Sequence, residues 1–148
     1  MRLVYTFAVA AVAVAAFGAT AVLAQQNPIE QRKAIMKENG AQAKIGAAMA
    51  KGEGPFDLAK AKVIFATFEK AAGAMPGLFP PNSKTGMETT AAPKIWEDMA
   101  GFKARFAKFG ADAKAAQAKV TDLNSFKTAF SDMGKQCGGC HQDYRVKK

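Results

Sequence analysis

Residues 123–145 read LNSFKTAFSDMGKQCGGCHQDYR, and their apolar positions recur at alternating intervals of three and four residues. These positions are Leu123, Phe126, Phe130, Met133, Cys137, Cys140 and Tyr144. A repeat of this kind is typical of a helix that buries one stripe in a bundle. The stretch therefore predicts a long helix, and the buried stripe of this helix carries both cysteines of the chain.

Three further segments show helical periodicity, and no segment alternates apolar and polar residues for long enough to predict a strand. The three segments cover about residues 27–50, 56–74 and 93–120. Asn27 is a candidate N-cap, and Pro28 suits a first helical turn. We therefore expect an all-α fold, an antiparallel four-helix bundle. The long connection over residues 75–92 predicts either a crossover to the other end of the bundle or a cover for a bound group.

The N-terminal segment has the features of an export signal. Met1 and Arg2 precede an apolar run rich in Ala and Val, which ends at Ala24 in a small-x-small pattern. We expect residues 1–24 to be a cleaved signal peptide and residues 25–148 to form the mature domain. The alternative is an uncleaved anchor, since the run is long enough to span a bilayer. Ala is weakly apolar and the cleavage pattern is good, so we favour a periplasmic protein that leaves the membrane after cleavage.

Residues 137–141, Cys-Gly-Gly-Cys-His, form the pattern to which haem c is attached. Two thiols must add across two vinyl groups on one side of a porphyrin, and an imidazole must reach the iron from one face. On a helix, Cys137, Cys140 and His141 project from one stripe because they are three and four residues apart. The sequence therefore predicts one covalent haem c, attached through Cys137 and Cys140, with His141 as the proximal ligand.

Other uses of two cysteines fit the sequence less well. A thioredoxin-like pair belongs at a strand-to-helix turn, and a structural zinc site needs four protein ligands where this chain has two Cys and one His. A disulfide within one helical turn would distort the backbone. Gly134, Gly138 and Gly139 each cost a helix about 1 kcal/mol relative to Ala. Covalent haem could offset that cost, and the missing β-carbons would let a flat macrocycle approach the backbone.

Most of the mature chain resembles the class II c-type cytochromes, the cytochrome c′ family. The resemblance rests on the C-terminal haem motif with Tyr144 and Arg145, and on residues 32–36 (RKAIM), 78–80 (LFP) and 93–96 (PKIW). It implies a four-helix bundle with one covalent haem c. In one branch of the family the iron is five-coordinate and binds nitric oxide or carbon monoxide. In the low-spin branch a Met in the first helix completes the coordination, and the protein is taken to carry electrons.

The resemblance is closer to the low-spin branch, and Met36 stands where that branch has its ligand. Met36 also lies on the same predicted helix face as Ile29 and Ala43, which should point inwards. His141 is the only histidine, so ligation by two histidines within one chain is excluded. We expect a periplasmic electron carrier with His141 and Met36 as axial ligands. The alternative is a five-coordinate, gas-binding protein in which Met36 only lines the distal side.

Four more residues are candidates for the haem pocket. Arg32, one turn before Met36, and Arg145, one turn after His141, match family positions and could each pair with a haem propionate. The alternatives are an exposed arginine for Arg32 and a helix-dipole partner for Arg145. Trp96 and Tyr144 are expected to pack against the haem rather than to take part in chemistry.

The formal net charge of +9 bears on the partners. The lysines are scattered among Ala and acidic residues, and the export signal makes nucleic acid an unsuitable partner. The charge is either an ordinary solvated surface or a means of steering towards acidic redox proteins. Relatives often dimerise through their first two helices, so a homodimer is a further expectation. A haem enzyme such as a peroxidase would want a distal histidine, which the chain lacks; we expect an electron carrier rather than an enzyme.

Overall fold

The computed structural model describes residues 27–146, which form five α-helices. In chain order these are α1 (Pro28–Lys51), α2 (Leu58–Ala74), α3 (Lys94–Glu97), α4 (Met99–Lys119) and α5 (Leu123–Tyr144). The four long helices pack side by side with alternating direction, so the predicted all-α, antiparallel four-helix bundle is confirmed. The predicted signal peptide, residues 1–24, lies outside the described residues. Between residues 27 and 146 no helix is both long enough and apolar enough to cross a membrane.

Short polar side chains fix where the helices begin. The side chain of Asn27 accepts a hydrogen bond from the backbone N–H of Ile29 at 2.9 Å, as expected of an N-cap. Asp57 caps α2 in the same way, at 3.0 Å from the backbone N–H of Lys60. At its other end α1 stops at Gly52, whose φ of +78° is the left-handed conformation that glycine adopts without steric cost.

The third predicted helix is divided at Asp98 into α3 and α4. Asp98 has φ −126° and ψ 54°, which is not helical. Its carboxylate accepts hydrogen bonds from the backbone N–H of Gly101 at 3.0 Å and from the hydroxyl of Tyr144 at 2.7 Å. The apolar spacing runs through this position unchanged, but the aspartate caps α4 instead of continuing the helix. The same side chain thereby ties the start of α4 to the end of α5.

Two apolar clusters divide the bundle along its length. The first, which we call the packed end, consists of Met49, Ala61, Ile64, Phe65, Phe68, Ala113, Ala116, Val120, Phe126 and Met133. The second, which we call the site end, consists of Ala72, Met75, Phe79, Ile95, Phe102, Phe106 and Tyr144. The packed end lies where α1 and α4 finish, and the site end lies where α5 finishes.

Residues 75–93, which we call the strap, lie across the site end. They contain two single 3₁₀ turns, Met75–Leu78 and Pro81–Ser83. Because α2 and α4 are antiparallel neighbours, the strap leaves and re-enters the bundle at the same end. Of the two alternatives for this connection, the crossover to the opposite end is therefore wrong, and a cover for a bound group stays a prediction. The strap instead packs over the start of α1 and the end of α5.

Candidate cofactor site

A cavity of about 690 Å³ opens between α1, α4 and α5, next to the site end. Its volume falls within the range of about 300–1,000 Å³ usual for small-molecule and cofactor sites. Apolar side chains from three helices line it, including Phe68 of α2, Phe106 and Phe109 of α4, and Met36 of α1. The bundle is therefore filled at one end and hollow beside the other.

The stripe of α5 that carries the sequence motif faces this cavity. Cys137, Cys140 and His141 all line it. Both cysteines are partly buried, and they form no disulfide with each other. Burial raises the pKa of each thiol; the neighbouring Cys140 adds to the increase at Cys137. His141 is exposed towards the cavity, and partial burial followed by the charge of Arg145 lowers its pKa. The lowered pKa favours the neutral imidazole, the form that binds a metal ion.

Met36 lies in the same space as His141 although it belongs to a different helix. It is partly buried, packs against the site-end cluster and lines the 690 Å³ cavity. Met36 and His141 also line an adjoining cavity of about 130 Å³. Met75 lines this smaller cavity too, and it is 3% exposed. The sequence did not single out Met75 as a site residue, because it falls at the end of the α2 segment, outside any motif.

Cations surround the larger cavity. Lys33, Lys37, Arg105, Lys108 and Arg145 line it, and the described lining residues include no carboxylate. All five are exposed. The sequence identified only Arg145 among them, because charges scattered over three helices have no common spacing. This rim provides a favourable environment for anionic groups at the edge of a bound ligand.

Two of these cations are already paired across the helix surfaces. Arg105 forms an ion pair with Asp143 at 2.5 Å, and Lys108 forms one with Asp112 at 2.5 Å. A β-carbon at Gly139 would lie 3.3 Å from Nη1 of Arg105. Gly139 therefore leaves room for the Arg105 guanidinium beside the thiol motif.

Arg32 is engaged mainly with the strap. It is 4% exposed and donates four hydrogen bonds. Its Nη1 donates to the backbone oxygen of Leu78 and to Oγ of Ser83, both at 3.0 Å. Its Nη2 donates to the backbone oxygen of Ser83 and to Oγ1 of Thr89, both at 2.8 Å. An arginine has five N–H donors, so at most one is left for another group. The pairing of Arg32 with a haem propionate stays a prediction, while Arg145, which lines both cavities, is freer to make such a contact.

The two predicted aromatic residues take different positions. Tyr144 is 6% exposed, lines the smaller cavity and donates its hydroxyl to Asp98, a bond that raises the pKa of Tyr144 to about 12. Trp96 lines neither cavity. Its indole N–H donates to the oxygen of Phe79 at 3.0 Å, and its ring meets the Phe79 ring edge-on at 5.9 Å. Trp96 therefore supports the wall of the smaller cavity from behind.

The glycine that gives the cavity room is not one that the sequence singled out. A β-carbon at Gly134 or Gly138 would meet nothing within 4 Å, and neither residue lines the cavity. Gly40 on α1 does line it, and a β-carbon there would also meet nothing within 4 Å. Its neighbour Asn39 lines the cavity as well, and within the described part of the chain the buried Oδ1 of Asn39 has no hydrogen-bond partner.

These side chains fit haem c. Two thiols and a neutral imidazole lie on one stripe of α5, and a thioether, an alternative axial ligand in c-type cytochromes, comes from α1. Large apolar side chains suit the faces of the macrocycle, and the cationic rim suits its propionates.

Comparison with known proteins agrees with this site. Residues 27–145 match the family model described as Cytochrome C′. The chain is 44% identical over 131 residues to a cytochrome c′ of Rhodopseudomonas palustris, with 88% of this chain and 90% of the relative covered. It is 45% identical over 121 residues to a cytochrome c-556 of Agrobacterium fabrum, with 81% and 82% covered. A solved structure of cytochrome c′ from Rhodopseudomonas palustris superposes with a TM-score of 0.80 at 45% identity, covering 84% of this chain and 99% of that one.

Proposed function

The chain belongs to the cytochrome c′ family and carries covalent haem c, and from that premise we propose that it is a periplasmic electron carrier. Cys137 and Cys140 hold the haem, His141 is the proximal ligand and Met36 is the sixth ligand. One observation carries the proposal: Met36 of α1 and His141 of α5 line the same two cavities. The similarity to a cytochrome c-556 is consistent with the low-spin branch that the resemblance of the sequence indicated.

The protein groups match the needs of a redox centre. Haem iron supplies one-electron transfer when it is bound. His141 supplies an imidazole, which binds a metal ion in its neutral form. The Met36 thioether is neutral at every pH, and a Met axial ligand raises the potential of a haem. An electron carrier needs no acid–base pair, and the described residues that line the larger cavity include no carboxylate. This favours electron transfer over enzymatic catalysis.

A second candidate function is the binding of nitric oxide or carbon monoxide to a five-coordinate haem. The smaller cavity, about 130 Å³ beside Met36 and His141, is the observation that favours it, since a diatomic molecule needs open space near the iron. The identity of the chain to a cytochrome c′, 44%, is almost the same as its identity to a cytochrome c-556, 45%.

The partner of the electron carrier is proposed to be an acidic redox protein. The five exposed cations around the larger cavity support this, because opposite charges would steer the partner to the haem edge. Homodimerisation through α1 and α2 is also proposed. It would cover Ile45 and Val63, which are 44% and 55% exposed on those helices.

Carbon monoxide binding to the reduced protein separates the two functions. In the electron carrier, Met36 must leave the iron first, so binding should be slow in the wild type and fast in Met36→Leu. Met75→Leu is the matched control, since Met75 also lines the smaller cavity. It should bind as slowly as the wild type. Fast binding by the wild type, unchanged by Met36→Leu, would favour the gas-binding function.

The mass of the exported protein tests attachment and processing together. Protein matured in a periplasm able to attach haem c should begin at Gln25 and carry one haem. The variant Cys140→Ala should keep a single thioether bond, through Cys137. A wild-type protein without covalent haem would show that Cys137 and Cys140 are not the attachment sites.

A further inference from the structure

We propose that Arg32 is a positioning residue that acts through the strap, so that its hydrogen bonds to the strap decide how firmly Met36 is held at the iron. The proposal rests on the proposed function, in which Met36 is the sixth ligand. Two contacts support it. The buried Arg32 on α1, the helix of Met36, is hydrogen-bonded to the strap, and the strap is hydrogen-bonded to α5, the helix of His141.

The attachment of Arg32 to the strap is extensive and buried. Its guanidinium holds Leu78, Ser83 and Thr89 through four hydrogen bonds of 2.8–3.0 Å. The guanidinium carbon lies 4.6 Å from the centre of the Phe79 ring, within reach of a cation–π interaction. Ser83 is 2% exposed, and its hydroxyl also donates to the oxygen of Pro80 at 2.9 Å. Hydrogen bonds to a charged group in such a setting are stronger than neutral ones.

The other end of the strap is bonded to α5 and the residues after it. The backbone N–H of Ala92 donates to the oxygen of Tyr144 at 3.0 Å, and the N–H of Val146 donates to the oxygen of Thr90 at 2.9 Å. Tyr144 is three residues beyond His141. The strap therefore connects the beginning of α1 to the end of α5 across the open side of the site.

This connection matters because Met36 and His141 lie on different helices and face each other across the haem site instead of packing directly together. Arg32 and Met36 are four residues apart on α1, so their side chains lie on the same face one turn apart. A displacement of the strap that moves Arg32 should therefore also move Met36, which lies one helical turn away on α1. A thioether is a weak ligand, so a small shift of α1 changes the fraction of molecules in which Met36 is bound.

Two variants separate this role from a simple charge effect. Ser83→Ala removes one acceptor of Arg32, keeps the arginine, and alters a residue that lines neither cavity. Arg32→Lys keeps the positive charge but cannot make the four bonds of a planar guanidinium. Thr128→Val is the control, because it removes a hydroxyl from α5 that bonds only Asn124 within the helix.

The experiment records the near-infrared band of the ferric Met–iron bond and the rate of carbon monoxide binding after reduction. Loss of one hydrogen bond of ordinary strength should populate the Met36-free state about tenfold more. We therefore expect Ser83→Ala to bind carbon monoxide about tenfold faster and Arg32→Lys, which loses more of the four bonds, at least about tenfold faster. Both should lose band intensity, and Thr128→Val should be unchanged. Covalent haem content and helix content, both measured, should equal those of the wild type.

An unchanged Ser83→Ala would overturn the proposal, whatever Arg32→Lys does, because losing a hydrogen bond between Arg32 and the strap would then have no effect on Met36. A wild-type protein that lacks the near-infrared band would reject the proposed function itself. The two failures are distinguishable, since the second is read from the wild type and the first from the variant of a protein that has the band.

Discussion

The packed end and the site end are built on the same helices, but side chains fill the first, whereas a cavity lies beside the second. At the packed end, a β-carbon on Gly46 of α1 would lie 2.3 Å from Cε2 of Phe130, so glycine is needed for two helices to meet. Six residues earlier on α1, a β-carbon on Gly40 would meet nothing within 4 Å, and Gly40 faces the cavity. One end is complete with protein side chains alone, and the other leaves room for a cofactor. Stability and function can therefore be altered separately.

The largest expected effect is at the packed end. Phe126 is fully buried, and its ring lies 5.3–6.0 Å from those of Phe56, Phe65 and Phe130. Phe126→Ala should lower the free energy of unfolding by about 3–5 kcal/mol, since it leaves a cavity in a core that no ligand fills. Denaturant unfolding measures the loss, and the visible spectrum of the folded protein should not change.

Phe106→Ala is the matched change at the site end, because Phe106 is buried and lines both cavities. It should alter the visible spectrum and the rate of carbon monoxide binding. A visible spectrum that changes in Phe126→Ala and not in Phe106→Ala would contradict the independence of the packed end and the site end.

A smaller effect is expected from filling the helix contact at Gly46. Gly46→Ala should destabilise the protein by about 1–3 kcal/mol, because the Phe130 ring must move to make room. Gly134→Ala on α5 is the control: a β-carbon there meets nothing within 4 Å, so the better helix propensity of Ala should stabilise the protein by about 0.5–1 kcal/mol. Thermal unfolding distinguishes the two variants, and equal shifts would mean that the contact between α1 and α5 is loose.

The smallest effect concerns the joint between α4 and α5. The hydroxyl of Tyr144, followed by the backbone N–H of Gly101, lowers the pKa of Asp98. Because the folded pKa lies below the unfolded value of about 3.9, the carboxylate stabilises the fold at neutral pH. This stabilisation is lost as the pH falls through the folded pKa. Tyr144→Phe removes the largest cause of the shift, so the variant should lose less stability on acidification than the wild type.

The measurement is the free energy of unfolding from neutral to acidic pH in the two proteins. Parallel curves would show that the bond between Tyr144 and Asp98 does not contribute to acid unfolding.

The sequence alone was sufficient to predict features whose residues all belong to one helix. The spacing in α5 predicted that Cys137, Cys140 and His141 share a face, and they line one cavity. Helical periodicity likewise located the four long helices, because a buried stripe repeats along each of them. The N-cap at Asn27 was predictable because capping is a contact between near neighbours in the chain.

The features that sequence reasoning missed depend on residues far apart in the chain. The break at Asp98 needs Tyr144, 46 residues later. Arg32 is directed to the strap by Ser83 and Thr89, whose positions have no periodic signal. The contact of Trp96 with Phe79 has no periodic signal for the same reason, and the packing of Trp96 against the haem stays a prediction. Contacts of this kind become visible only when the helices and the strap are assembled.

Optical spectra of the oxidised and reduced protein show whether Met36 and His141 are the two axial ligands. Ligation by both residues should give sharp low-spin spectra and the weak near-infrared band of a ferric Met–iron bond, abolished in Met36→Leu and kept in Met75→Leu. A broad high-spin spectrum that Met36→Leu leaves unchanged would contradict it, and Met36 would then be only a neighbour of a gas-binding haem.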